Sequence, residues 1–241
     1  MSALVRAELR RLRSSRSTWG LFAVAVAVTA LLMAFILDGA GTVEGAGTGT
    51  QQQRDLLLGA GGPATQLLAA VYGALLVTGE LTSRTLTASL LVTPDRRRIV
   101  LAKVCAAAAA GAGVAAALLA LGLVTVVIVG GLVDVTLRPL LGMVLMGAAS
   151  GTLGVGIGTC IRNQTAAVAA PLLWFVVVEP LTRSFHLTWL RPWLPGGALA
   201  AVSGAAFPGA LPLAGAACVA LAYATALLLP GTRSLLRRDV L

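Results

Sequence analysis

The sequence predicts an all-α membrane protein with six transmembrane helices. Of the 241 residues, 58% are hydrophobic and only 11% are charged, whereas soluble domains carry about 25% charged residues. Residues 19–37 contain no charged side chain, and as a helix this run would be about 28 Å long, close to the hydrocarbon thickness of a bilayer. Arginines cluster between the apolar runs, as topology signals do. We therefore expect one transmembrane domain that covers residues 1–241.

The first element, residues 1–18, is predicted to be an amphipathic interfacial helix. Apolar side chains recur at i, i+4 and i+7 from Val5. Arg6, Arg10 and Arg13 repeat that spacing one residue later, so a helix would carry an apolar stripe beside a basic one. Such a helix lies in the headgroup layer with its arginines facing anionic lipid. The alternative is a disordered basic flank that only sets topology.

The six predicted spans are apolar runs separated by polar or proline-containing connections. They cover residues 19–37, 61–79, 103–133, 139–161, 163–178 and 211–229. The third is longer than a bilayer requires, so we expect it to tilt or to project from the membrane. The fifth is short and is interrupted by Pro171, which makes it the least regular of the six.

The distribution of Lys and Arg predicts the orientation. Alternate connections hold 14 and 4 of these residues, and the basic side of a membrane protein is the cytoplasmic side. The basic set includes the N-terminal arm, residues 80–103 and the tail at residues 230–241. Both termini are therefore predicted to be cytoplasmic, in a multi-pass protein of the cytoplasmic (cell) membrane. Residues 38–60, rich in Gly, Thr and Gln, are predicted to form a flexible outside loop.

The fourth span carries two glycine pairs, Gly147/Gly151 and Gly154/Gly158, each spaced i, i+4. Small residues let helix backbones approach closely in lipid. The pattern fits generic tight packing, and it also fits a specific dimer face.

Residues 180–210 connect the fifth and sixth spans. They contain Trp189, Trp193 and several prolines beside an apolar stretch. The segment is too apolar for a solvated loop and too broken to span a membrane. We expect short re-entrant or interfacial helices here, on the outer face, with the tryptophans at headgroup level.

Motifs that carry chemistry are absent from the sequence. There is no P-loop motif, no G-x-S-x-G and no H-E-x-x-H, and the basic residues form no aromatic-studded face of the kind that binds nucleic acid. Cys105, Cys160 and Cys218 lie in apolar runs without CxxC or histidine partners, so neither a disulfide framework nor a metal site is indicated. We expect no catalytic, cofactor-binding or metal-binding residues, no cofactor and no nucleic-acid partner.

The most polar long segment, residues 80–98, lies between the second and third spans. It begins with Glu80, and leucines among Thr and Ser over residues 82–92 suffice for about three helical turns. Pro94 ends this helix, because the residue before a proline is biased toward an extended conformation. Three arginines then stand at the foot of the third span. An ordinary loop that obeys the positive-inside rule is the simpler alternative, but it needs fewer residues.

This segment resembles the corresponding part of the permease subunits of type-2 ABC transporters. The shared elements are an acidic residue after a span, a Thr-Leu turn, a Leu-Leu pair, a proline, an arginine and an alanine–lysine pair. In this chain they are Glu80, Thr85, Leu86, Leu90, Leu91, Pro94, Arg97 and Lys103. The basic N-terminal helix, the six spans and the apolar material between spans 5 and 6 also match that family. One departure is Arg84, where members often carry glycine.

The resemblance implies that residues 80–98 are a coupling segment that docks in a groove of a separate ATP-binding subunit. Two such ATPases would close on ATP, move the docked helices and turn the spans from inward-facing toward outward-facing. The complex would contain two permeases, as a homodimer or with a sibling chain, in the lipid bilayer. The permease itself would not be an enzyme.

The cargo is expected to be hydrophobic or amphiphilic, such as a drug, an antibiotic or a lipid. The predicted spans contain no mid-membrane acid or base, which an ion pump or a proton-coupled carrier would normally keep. The alternatives are a non-transport membrane protein, such as an immunity or signalling subunit, and a secondary carrier that works alone.

Overall fold

The computed structural model describes residues 6, 7, 10, 16–38, 51–82, 96–129, 137–161, 163–205 and 207–237. These residues are almost entirely helical, and no β-strand occurs among them. Six of the helical runs are long and apolar enough to cross a membrane. They are Thr18–Leu37, Arg54–Gly79, Val100–Ile128, Pro139–Cys160, Gln164–Thr182 and Leu213–Pro230. The predicted all-α class and the predicted number of helices able to cross a membrane, six, are confirmed for the described residues.

Shorter helices accompany the six long runs. The α-helices in the described residues are α1 (Arg16–Leu37), α2 (Gln51–Gly59), α3 (Gly62–Thr82), α4 (Arg96–Ile128), α5 (Leu137–Cys160), α6 (Gln164–Leu172), α7 (Glu179–Ser184), α8 (Pro195–Val202) and α9 (Leu213–Arg237). A π-helical stretch, Leu173–Val178, joins α6 to α7. A 3₁₀ turn, Arg191–Trp193, precedes α8.

Helix α2 lies where a flexible loop was expected. The prediction was based on the glycine-rich composition of residues 38–60, but the second half of that range is helical. Leu57 is fully buried in a cluster with Met33 of α1 and Val126 of α4. This apolar contact gives the short helix a partner, which local composition does not reveal, since short helices depend on tertiary packing.

The fifth span is longer than predicted. The expectation was an interrupted span at residues 163–178, yet the helical run continues to Ser184. Asn163 caps its start, because its side-chain oxygen accepts a hydrogen bond from the Thr165 N–H at 2.9 Å. Pro171 lies inside the run, and the wider π-helical turns follow directly after it. The helix thus absorbs the proline by a local change of winding instead of ending there.

Helix α5 is the centre of the bundle and packs closely against α3 and α4. A Cβ atom at Gly147 would overlap the Gly111 carbonyl of α4, and one at Gly154 would overlap the Ala70 carbonyl of α3. The glycines of the fourth span therefore serve packing within the chain, the first of the two interpretations above. Backbones that approach so closely gain dispersion contacts along the whole crossing.

The described surface is apolar where a soluble protein would be polar. Large hydrophobic side chains point outward from α1 and from the α6–π region. They include Val24, Val28, Leu31, Phe35, Leu173, Val176 and Val177. Contiguous apolar surface on this scale is stable only against lipid or another protein, which agrees with a membrane location.

Candidate functional site

The predicted coupling segment falls largely outside the described residues. The predicted site residues that lie outside the described ranges are Arg84, Thr85, Leu86, Leu90, Leu91 and Pro94. Arg13, predicted as a membrane-surface anchor, also lies outside them. Glu80 lies in the last turn of α3, and Arg97 lies in the first turn of α4. The structure therefore describes the two helices that bracket the segment.

The facing ends of α3 and α4 lie side by side. Lys103 of α4 donates a hydrogen bond from its Nζ atom to the backbone oxygen of Leu76 in α3, at 3.0 Å. Thr82, the last residue of α3, is six positions beyond Leu76, and Arg96, the first residue of α4, is seven positions before Lys103. At about 1.5 Å per residue, both helices continue about 10 Å past this contact in the same direction.

Lys103 is buried. Its exposed fraction is only 5%, and it lies within the candidate span Val100–Ile128. We expected the third span to begin near this residue, whereas α4 begins at Arg96. The helix has no amphipathic pattern from which burial could be predicted. The one available signal was that the only lysine of the sequence stands between Ala102 and Val104 in an apolar run.

An apolar cluster surrounds this contact and joins three helices. It consists of Leu76 and Val77 of α3, Ala106 and Ala107 of α4, and Val155 of α5. Leu228 of α9 packs against it. The ends of α3 and α4 are therefore in close apolar contact with α5 and α9, with little free space between the helices.

Arg6 and Arg10 are helical and exposed in the described part of the N-terminal arm. This agrees with a helix in front of the first span. The role of these residues as membrane-surface anchors stays a prediction.

A polar cluster, which we call the Gly196 cluster, lies at the N-terminal end of α3, away from the Lys103–Leu76 contact. The Glu179 Oε1 atom of α7 accepts hydrogen bonds from the Gly196 N–H at 2.7 Å and from the Trp174 Nε1–H at 3.0 Å. The Gly196 carbonyl accepts a hydrogen bond from Nε2 of Gln66, at 3.1 Å. Gln66 also contacts the Met146 sulfur at 3.4 Å.

Sequence reasoning missed Glu179. The predicted fifth span ended one residue earlier, whereas the candidate span Gln164–Thr182 includes it. The available signal was an acidic residue directly after a run of valines. Ionisable side chains near or inside spans are rare and are usually paired with another polar group, so such a residue indicates a specific contact.

Helix α8 is a short, buried helix between the fifth and sixth spans. The buried residues include Pro195, Gly196, Ala198 and Leu199. Arg191, just before it, lies over the Phe207 ring, with Cζ 3.9 Å from the ring centroid. A short apolar helix was predicted in this region, and its position relative to a bilayer stays a prediction.

Within the described ranges, no group of three or more His, Cys, Asp or Glu side chains could hold a metal ion. Cys105, Cys160 and Cys218 are free and exposed. All three lie in candidate spans, and the Cys160 thiol donates a hydrogen bond to the Leu227 carbonyl of α9 at 3.3 Å.

Comparisons with known proteins add no relatives. No protein-family model matches the chain, and no curated protein matches it significantly. The resemblance to type-2 ABC permeases therefore rests on the residues of this chain.

Proposed function

We propose that this protein is the membrane-spanning permease subunit of an ATP-driven exporter of the type-2 ABC kind. It would work with a separate ATP-binding subunit and with a second permease, either another copy or a sibling chain. The cargo would be hydrophobic or amphiphilic, such as a drug, an antibiotic or a lipid.

The observation that carries this proposal is the contact between α3 and α4, the two helices that precede and follow residues 83–95 in the sequence. Six helices are long and apolar enough to cross a membrane, and the polar residues 83–95 connect α3 to α4 in the sequence. The two helix ends that carry them are held together by the buried Lys103–Leu76 contact. A segment held at both ends in this way supports a role as a handle for a partner protein.

The partner would act on the handle through Glu80, Arg84, Thr85, Leu86, Leu90, Leu91, Pro94 and Arg97. Binding energy shifts a conformational equilibrium only by the difference in affinity for the two states. The ATPase must therefore hold the segment more tightly in one arrangement of the spans than in the other. The apolar cluster of Leu76, Ala106 and Val155 would then couple a shift of α3 and α4 to α5 and α9.

The inner surfaces of the spans support a cargo of low polarity. Buried polar side chains among the described residues are few, and several of them donate hydrogen bonds to backbone carbonyls of their own helix. Thr78 donates to the Ala74 carbonyl, and Ser150 donates to the Met146 carbonyl. Two carboxylates of the described residues fall inside candidate spans, Asp55 and Glu179. Asp55 is the second residue of its span. The Glu179 carboxylate accepts hydrogen bonds from Gly196 and Trp174 and so differs from a bare mid-membrane ion site.

Co-purification and crosslinking test the proposal. A cysteine introduced at Leu90 should crosslink to a P-loop ATPase in native membranes, because it would lie in the docking groove. A cysteine at Leu31 is the control, since this residue is exposed on the apolar face of α1. The endogenous cysteines are first replaced by alanine.

Crosslinking of an ATPase from position 90 but not from position 31 supports the proposal. An isolated chain, with no ATPase crosslinked from either position, contradicts it and favours a non-transport role such as immunity or signalling. Transport that proceeds without ATP and collapses with an ion gradient would instead indicate a secondary carrier.

A further inference from the structure

We infer that Lys103 is a positioning residue for energy coupling, which ties α3 and α4 into one moving unit. This inference rests on the proposed function, because it assigns a role to the base of the proposed coupling segment. It concerns one contact, the hydrogen bond from the Lys103 Nζ atom to the Leu76 carbonyl.

The contact closes the loop that contains the coupling segment. Leu76 and Lys103 are 27 positions apart in the chain, and residues 80–98 all lie between them. A force on the segment therefore acts on both helices, because the Lys103–Leu76 bond joins them. Neither helix can be displaced relative to the other without breaking this bond.

The choice of lysine supports a lasting contact. A methionine would fill a similar volume at this buried position without any charge, and burying an ammonium group costs several kcal/mol unless it is well compensated. The Leu76 oxygen supplies a hydrogen-bond acceptor among apolar side chains. If α3 moved away from α4, this charge-assisted hydrogen bond would break among apolar side chains, which costs free energy. The two helices should therefore stay together while the rest of the bundle rearranges.

The tied pair is also engaged with α5. A Cβ atom at Gly158 of α5 would lie 2.8 Å from the Ala74 carbonyl of α3, and one at Gly151 would overlap the Ala107 carbonyl of α4. Ala74 and Ala107 lie within four positions of Leu76 and Lys103. Displacement of the pair is thus delivered to α5 near the Lys103 contact.

The experiment uses spin labels at the helix ends and does not depend on the cargo. Cysteines at Thr82 and Arg96 are labelled in the full chain in lipid nanodiscs, after the endogenous cysteines are replaced by alanine. The distance distribution is measured for Lys103, Lys103→Met, Lys103→Gln and Lys103→Arg. Tyr72→Phe is the matched control, since it removes a different contact of α3, the 2.6 Å hydrogen bond from Tyr72 to the Thr18 carbonyl of α1.

With Lys103 present, we expect a single narrow distribution of the distance between the two spin labels. In Lys103→Met and Lys103→Gln, we expect this narrow distribution to broaden. Lys103→Arg, which keeps a cationic donor, should retain most of the narrow population, and Tyr72→Phe should leave it unchanged. Unchanged distributions in both neutral variants, with normal thermal unfolding, would overturn the inference.

A second measurement separates a positioning role from a purely structural one. In the complex with the ATPase that copurifies with the chain, Lys103→Met should leave the affinity for the ATPase unchanged. The permease-dependent part of ATP hydrolysis should fall about tenfold, the effect of losing one charge-assisted hydrogen bond, and Lys103→Arg should restore it. Equal losses of affinity and of hydrolysis would contradict the positioning role. If no ATPase binds, the proposed function fails, while the distance measurement still decides whether Lys103 ties the helices.

Discussion

At the scale of single residues, glycines determine how closely the central helices pack. Gly154 of α5 faces the Ala70 carbonyl of α3, with no room for a side-chain carbon. Gly113 of α4 is different, because a Cβ atom there would meet nothing within 4 Å. The same residue type therefore serves a packing role at one position and none at the other, although both lie in helices of similar composition.

This contrast gives a paired prediction. Gly154→Ala should destabilise the protein by about 1–3 kcal/mol, because the added methyl group must push α3 and α5 apart. Gly113→Ala should be neutral or stabilising by up to about 1 kcal/mol, since alanine favours the helix and space is available. Thermal unfolding in detergent measures both. Equal destabilisation of the two variants would contradict the close approach at Gly154.

The sequence could identify the glycine pattern but not the partners that the glycines face. An i, i+4 spacing is a property of one helix, whereas the Ala70 carbonyl is supplied by another helix 84 positions away. The same limit applies to Lys103. Its residue type and position could be read from the sequence, but its burial and its bond to Leu76 depend on how α3 and α4 pair.

At the scale of elements, the spans could be predicted because hydropathy is a local property. Long charge-free runs became long helices, and the six candidate spans fall on the six predicted ones. The short helices were harder to predict. Helix α2 depends on Leu57 reaching Met33 and Val126, and α8 depends on contacts with α3 and α7. Composition predicted a short apolar helix in the region of α8 but not α2, and in neither case could it predict the partners that hold the helix in place.

The Gly196 cluster shows how α8 is attached. Gly196 stands in the first turn of α8, and its N–H and carbonyl bond to two different elements, Glu179 of α7 and Gln66 of α3. A side chain at Gly196 would overlap the Glu179 carboxylate. Glycine at this position therefore lets the carboxylate reach the backbone N–H, and a carboxylate at a helix N-terminus is favoured by the helix dipole.

Loss of this carboxylate should weaken the attachment of α8. Glu179→Ala leaves the N–H groups of Gly196 and Trp174 without their shared acceptor, and we expect a destabilisation of about 1–3 kcal/mol. Glu179→Gln keeps a carbonyl oxygen in place and should lose less. Trp174→Phe, which removes one donor and leaves Gly196 bonded, should also lose less than Glu179→Ala. Unfolding followed by tryptophan fluorescence tests this order, and similar losses in all three variants would refute it.

At the scale of the whole molecule, large apolar side chains are not confined to the interior as they would be in a soluble domain. The closest backbone approaches among α3, α4 and α5 occur at Gly and Ala, whereas large aliphatic and aromatic side chains lie in the buried clusters and also cover much of the outside. In water this arrangement would expose too much apolar surface. In lipid it is favourable, because small residues allow close helix crossings and large residues contact acyl chains.

The same scale carries the prediction of orientation, on which the coupling proposal depends. A protein of six spans has both ends on one side, and the excess of Lys and Arg predicts that this side is the cytoplasmic one. Residues 83–95 would then lie in the cytoplasm with the ATPase, and residues 39–50 would lie outside. A cysteine at Ser89 should therefore react with an impermeant maleimide only after the cells are opened.

The matched variant is a cysteine at Thr48, which should react in intact cells. Both variants lack the endogenous cysteines, so that each signal comes from one position. The opposite pattern, with position 89 labelled from outside, would place the segment where no ATP is available. In that case the Lys103–Leu76 contact would still join α3 and α4, but it would serve the stability of the bundle rather than the transmission of force from an ATPase.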